Sequence, residues 1–303
     1  MTTVGSKARS ASNQRHYRLF GVLLVVSLVL WWQPLATTLR LAFENIAYTH
    51  IFLIVPMSVA LIWQERNALR PPFQASARAG AFWLVTALLV TVVAKWDASV
   101  PNDVRLSLNI FALVEWWIGS VNFSFGTKAF RSLLFPLCFL LWIVPLPESL
   151  LNWTIEWLQI QSATTARILF QLARVPVTQD GIMLSIPGLD IEVASQCSSI
   201  RSSLILVIVT MVLSHLLLRS WWRKILLVGV AIPLSFVKNG FRIFVISELG
   251  TRVDPGFFDG RLHHHGGIVF LGLALGAVAL LLWVLRRTEE PIPQKLVLSP
   301  TPE

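Results

Sequence analysis

Ser195-Gln196-Cys197-Ser198-Ser199-Ile200-Arg201-Ser202-Ser203 runs without a break into the apolar stretch Leu204 to Leu218. The second part is long and apolar enough to cross most of a bilayer as a helix. The first part is a thiol, several hydroxyls and a guanidinium at the mouth of that helix. Polar groups there are costly to keep, so they ask for a reason. The apolar half of this stretch decides the fold, because the same pattern recurs along the chain. The polar half raises the question of function.

The 303 residues are 55% hydrophobic and 14% charged, with mean hydropathy +0.67. Soluble domains carry about 25% charged residues, so the composition gives an all-α polytopic membrane protein. Many of the 13 Trp stand near the ends of apolar runs, where indole rings favour the interface. The net charge of +9 does not call for nucleic acid, because membrane proteins gather Lys and Arg on cytoplasmic loops. Neither cysteine has zinc-site spacing. Cys138 lies inside an apolar run and reads as a small core residue, too deep for a disulfide with Cys197.

Eight spans follow, at about 17–36, 46–64, 80–97, 104–121, 129–146, 200–218, 224–248 and 266–285. The fourth is the weakest, because Glu115 lies within it. Residues 1–16 read as a disordered, basic cytoplasmic tail, residues 17–287 as one transmembrane domain, and residues 288–303 as a second cytoplasmic tail. The first run reads as an uncleaved span, since no small-residue cleavage site follows it. With the N-terminus inside, fifteen of the twenty-five Lys and Arg fall on inner segments. Twelve of the sixteen acidic residues fall outside or within spans. Both termini are then cytoplasmic and the long segment 147–199 lies outside.

That outer segment has two parts. Residues 150–174 mix Trp153, Trp157, Leu158 and Ile168 with polar residues, as an amphipathic surface helix does. A short span or a re-entrant helix fits the same pattern. Val175 to Val193 alternates apolar and polar residues around Asp180-Gly181 and reads as a small β-hairpin leading to Cys197.

The chemistry rests on three residue types brought to one side of the membrane. A nucleophilic thiol needs its thiolate, which cations and a helix N-terminus favour. Cys197 stands at or near the start of a helix, with Arg201 one turn on and Ser195, Ser198 or Ser199 as caps. A buried structural cysteine is the plainer alternative. Arg242 lies within the apolar seventh span, on one helix face with Asn239. A guanidinium at that depth faces a bundle interior or a wet cavity, or else snorkels to the interface. His263, His264 and His265 stand just before the last span and offer acid–base chemistry at neutral pH. A metal patch or a solvated loop would account for them as well. His50 and His215 read as structural, and Glu115 as paired with a basic residue.

These residues together resemble the exosortase and archaeosortase family of membrane-embedded cysteine transpeptidases. Tyr48-Thr49-His50-Ile51-Phe52-Leu53-Ile54-Val55-Pro56 is similar to its early Ser-His-Gly-Phe segment. Phe135-Pro136-Leu137 through Pro145-Leu146-Pro147-Glu148 is similar to its Phe-Pro-Leu and Pro-Leu-Pro-Glu span. Glu192 to Ser202 resembles its Cys-Ser-Gly-Leu-Arg-Ser motif, with Ser199 in place of the glycine. Asn239 to Arg242 resembles its Asn-x-x-Arg, and the histidines before Gly266 its last motif.

The resemblance implies a sorting protease or transpeptidase of the inner (plasma) membrane, working at its extracytoplasmic face without a cofactor. Its partners would be membrane-anchored proteins ending in a Pro-Glu-Pro-type motif, an apolar helix and a basic cluster. Cys197 would be the nucleophile, Arg242 the oxyanion or proton donor, and His263 the acid–base, with His264 an alternative alignment. Two other classes compete: a polytopic transporter using Arg242 and Glu115, and a non-catalytic assembly factor for exopolysaccharide export.

Overall fold

The computed structural model describes residues 3–289 except 72, 74, 194–199, 255 and 257–260, with backbone alone at 3–12 and 261–266. Six described helices are long and apolar enough to cross a membrane: Ile46–Gln64, Ala77–Trp96, Asn102–Phe125, Ile200–Leu217, Trp221–Arg252 and Gly267–Arg287. Counting each of two bent helix pairs as one span would bring the number to eight, so the described residues give six to eight spans where the sequence predicts eight. The chain divides into two compact units, Met1–Thr154 and Ile155–Glu303.

The first unit is built around α5 (Asn102–Phe125). Helices α1 (Thr3–Leu30), α2 (Trp32–Glu44) and α4 (Ala77–Trp96) pack against it. The α4–α5 seam is close because two glycines remove side chains from it. A Cβ on Gly80 would lie 2.4 Å from Phe123 Cα, and one on Gly119 2.8 Å from Trp83 Cβ. Small residues let membrane helices approach in this way. Two indoles fasten α5 to α1: Trp116 Nε1 donates to Leu23 O at 3.0 Å, and Trp117 Nε1 to Ser27 Oγ at 2.9 Å. Trp31 and Trp116 are thus core residues, not interface anchors.

Glu115 differs from its expected pairing. It is buried, and one oxygen accepts from Thr86 Oγ1 at 2.5 Å. Its other oxygen has no partner among the described residues. A hydroxyl, not a basic residue, is the partner described for this carboxyl. α5 is also the most completely buried of the six spans, although its sequence makes it the least convincing one.

The expected span 17–36 is broken. α1 ends at Leu30, and α2 leaves it at 70°. α1 begins at Thr3, so helix extends through most of the segment read as a disordered tail. Extending an established helix costs far less than nucleating one. The expected span 129–146 is not one helix either. It comprises α6 (Thr127–Ser132), α7 (Leu134–Phe139) and a 3-10 turn (Leu140–Ile143), with Pro136 inside α7. Cys138 on α7 is exposed, not a core residue.

The segments Tyr48–Pro56 and Pro145–Glu148 come together in this unit. Tyr48 Oη donates to Leu146 O at 2.8 Å, and Ser107 Oγ to Pro145 O at 2.7 Å. The Glu148 N–H donates to Asp103 Oδ2 at 2.8 Å. His50 heads α3 (Ile51–Gln64), buried, with Nδ1 3.1 Å from Ala47 O. These bonds hold a strap in which Pro145 and Pro147 have no amide N–H to donate. Tyr48 is one of the residues that fasten it.

The second unit holds the rest of α8 (Glu148–Leu172), a small sheet, α9 (Ile200–Leu217), α10 (Trp221–Arg252) and α11 (Arg261–Arg287). Residues 150–174 are therefore helical, as expected. α8 ends with Arg174 in the left-handed region at φ 59°. The Arg174 N–H donates to Gln171 O and the Val175 N–H to Phe170 O. That pairing closes a Schellman turn, normally a glycine site, with Pro176 following as a stop.

The sheet has one strand more than the expected hairpin: β1 (Thr178–Asp180), β2 (Met183–Ile186) and β3 (Leu189–Glu192), antiparallel in that order. Gly181 (φ +55°) and Gly188 (φ +83°) supply the left-handed residues of the two tight turns. Leu184 and Ile186 of β2 point inward onto Ala163, Ala166 and Phe170 of α8 and Ile243 of α10. Each such apolar side chain contributes about 1.5–3 kcal/mol when fully buried. At the other end of the unit, Leu206, Leu227, Ala274, Val278 and Leu282 close a core among α9, α10 and α11. There Glu289 accepts from the Arg219 and Ser220 N–H groups at 3.0 and 3.1 Å, and lies 3.5 Å from Arg223.

Candidate functional site

Cys197 lies outside the described residues, as do Ser195, Ser198 and Ser199. What is described is the frame on either side of them. Val193 is fully buried, and its N–H donates to Ile182 O at 3.0 Å. Its carbonyl accepts from Gln159 Nε2 at 2.6 Å, a buried bond reaching across from α8. Ile200, buried, opens α9 on the far side. Six residues thus connect two fixed points, one at the end of the sheet and one at the start of a helix.

The opening turn of α9 faces α10. Arg201 is exposed, while Ser202 and Ser203 are buried. Lys238 of α10 is 7% exposed, and its Nζ donates to Ser202 Oγ at 2.5 Å. Hydrogen bonds to charged groups are worth about 1.5–3 kcal/mol. Burying an ammonium costs several kcal/mol, so this bond alone does not offset it. Asn239 is 2% exposed, and its Nδ2 has no partner among the described residues. Ser203 Oγ is buried and without a partner in the same sense. An orphaned buried amide or hydroxyl costs about 1–3 kcal/mol. The α9–α10 interface therefore carries polar capacity that the described chain does not use up.

Arg242 lies one turn beyond Lys238 on α10 and is half-buried. The rotational setting of α10 is fixed at Gly240. A Cβ there would meet Thr165 Cβ at 2.5 Å and Ser162 O at 2.7 Å, so α10 presses its backbone onto α8. Trp157 of α8 adds an edge-on ring contact with Phe236, centroids 5.6 Å apart. Pro233 stands one and a half turns before the polar row, where the missing N–H loosens the helix.

His263, His264 and His265 belong to the first turn and a half of α11 rather than to a loop before it. Their side chains lie outside the described residues. Successive helix positions are rotated by about 100°, so the three occupy different faces. Among the described residues no three His, Cys, Asp or Glu stand together as metal ligands would.

Lys238 and Ser202 were not singled out in the sequence, although the signal was there. Lys238 is an ionisable residue in the same apolar span as Arg242 and four positions before it. The argument that made Arg242 conspicuous applies to both.

A family model described as transmembrane exosortase (Exosortase_EpsH) matches residues 31–284. The match covers most of both compact units and all five segments singled out in the sequence. No curated protein and no solved structure matches the chain.

Proposed function

The chain belongs to the transmembrane exosortase family, and on that premise we propose that it is a cysteine-dependent sorting protease or transpeptidase. Its substrates are membrane-anchored proteins with a C-terminal tail of the Pro-Glu-Pro type, and its site is on the extracytoplasmic face of the inner membrane. The observation that carries the reading is the polar row on α10: buried Lys238 and Asn239, and half-buried Arg242. Its Lys238 bonds the first turn of the helix that begins three residues after Cys197.

In this reading the Cys197 thiolate attacks the scissile carbonyl carbon and a tetrahedral oxyanion forms. Arg242 donates to that oxygen, where a preorganised donor is worth most. The C–N bond breaks as His263 protonates the leaving amine, and an acyl-thioester remains on Cys197. An acceptor amine or hydroxyl, or water, then gives its proton to His263 and attacks the thioester. The Cys197 thiolate leaves, and the cycle closes with one amide or ester formed, or one amide hydrolysed. No step needs a cofactor.

The deciding experiment uses a reporter with a Pro-Glu-Pro motif, an apolar helix and a basic cluster at its C-terminus. Cys197→Ala is expected to lower tail processing by about 10³-fold or more. Processing at the wild-type rate in Cys197→Ala would sink the reading in favour of a transporter or an assembly factor. Orientation has its own check. A cysteine placed at exposed Asp190 is expected to react with an impermeant maleimide from outside the inner membrane; reaction only after permeabilisation would reverse the topology.

A further inference from the structure

We propose that Lys238 is a positioning residue for Cys197, acting through Ser202; the proposal rests on the reading of Cys197 as the nucleophile. Lys238 is almost fully buried in a membrane-crossing helix, where a hydrocarbon side chain would be held at less cost. Its ammonium donates to Ser202 Oγ at 2.5 Å, a charge-assisted bond between α10 and the first turn of α9. Ser202 follows Cys197 by five residues. The described residues on either side of 194–199 are each bonded: Val193 by Gln159, and Ser202 by Lys238.

The same helix carries Arg242 four positions on, about 6 Å along the axis. Lys238 therefore sets the first turn of α9, which follows Cys197 in the chain, relative to the helix that carries Arg242. An error of about 1 Å in such a setting costs about 10²-fold in rate. The charge at Lys238 strengthens this bond, and a neutral side chain of equal bulk does not replace it. Ser202 is specified in the same way by its hydroxyl.

The test uses the full chain in lipid nanodiscs with Cys138→Ala, which leaves Cys197 the only thiol. Two rates are measured: tail processing, resolved into kcat and KM, and alkylation of Cys197 by iodoacetamide. Lys238→Met and Ser202→Ala are each expected to lower kcat by about tenfold or more, with KM within about twofold. The double variant is expected to be no slower than the slower single one, because the two residues act as a unit. Lys238→Arg and Ser202→Thr, which keep the charge and the hydroxyl, are expected to recover most of the rate. Alkylation is expected to slow in the same variants.

Wild-type kcat and alkylation in folded Lys238→Met would overturn the proposal, and so would strictly additive losses in the double variant. If Lys238→Met does not fold, the Ser202→Ala and Ser202→Thr pair carries the test, and equal rates in those two overturn it. Failure of the underlying reading looks different. Cys197→Ala would then process tails normally, while alkylation of Cys197 would still report whether Lys238 positions it.

Discussion

Each compact unit buries an ionisable side chain inside an apolar span, and each meets it with a hydroxyl. In the first unit Thr86 donates to Glu115; in the second Lys238 donates to Ser202. The surroundings differ. Glu115 sits in a seam drawn tight by Gly80 and Gly119, among residues that fasten one helix to another. Lys238 precedes Asn239, whose Nδ2 has no partner among the described residues, and its partner Ser202 precedes Ser203, whose Oγ has none either. A buried charge alone does not mark a site. What separates the two is what the bond joins: Glu115 ties α5 to α4, whereas Lys238 ties α10 to the helix that begins three residues after Cys197.

The comparison can be broken by substitution, beginning with the largest effect. Arg242→Ala is expected to lower tail processing by about 10²–10³-fold, the loss typical of one oxyanion donor, with little change in folded yield. Glu115→Gln is expected to leave processing within about threefold. An equal loss in both would erase the distinction between the units. Next comes the seam itself. Gly80→Val is expected to destabilise the first unit by about 3 kcal/mol, since its side chain meets the Phe123 backbone. Thermal unfolding in detergent reads this, and an unchanged midpoint would mean that α4 and α5 are not so closely packed. Gln159→Leu is expected to cost about 1–3 kcal/mol by leaving the buried Val193 carbonyl without its donor, and to slow alkylation of Cys197.

The smallest effect lies outside the spans. Burial pushes the Glu289 carboxyl up, but the Ser220 and Arg219 amides and the Arg223 guanidinium outweigh it and hold it below the ordinary range. A carboxyl lowered in the folded state contributes stability above its unfolded value, near pH 4.3. That stability is lost as pH falls through the folded value. Hydrogen exchange at the Arg219 and Ser220 amides is expected to stay slow from pH 7 to about 4.5, after allowance for its intrinsic pH dependence. Below that pH protection is expected to fall. In Glu289→Gln the protection is expected to be weaker even at neutral pH.

The sequence discloses the membrane fold because apolar length is additive and local; eight runs are visible without knowing what they touch. It hides the breaks. Nothing in Leu30-Trp31-Trp32 announces a 70° bend, and the bend becomes intelligible only once Trp31 is found buried in the first unit. Cys138 misled for a related reason: an apolar run reveals depth, not which of its faces looks inward. Pro187-Gly188 is a turn signal of the same kind as Asp180-Gly181, and it adds β3 to the expected hairpin. At the site, Arg242 was conspicuous by its charge in an apolar span. Lys238 carried the same signal four residues earlier, but its partner Ser202 lies 36 positions away, and only the packing of α9 on α10 connects them.

Gly240 has a mechanical consequence. Its missing side chain lets α10 bear on the Ser162 carbonyl and Thr165, and any turn of α10 about its own axis would drive the flanking side chains of Asn239 and Phe241 into that contact. The helix therefore cannot swivel Lys238 and Arg242 into and out of register one at a time. If the site opens to admit a substrate tail, α10 and the Ile155–Leu172 part of α8 must travel as one body, or another element must give way while they stand still.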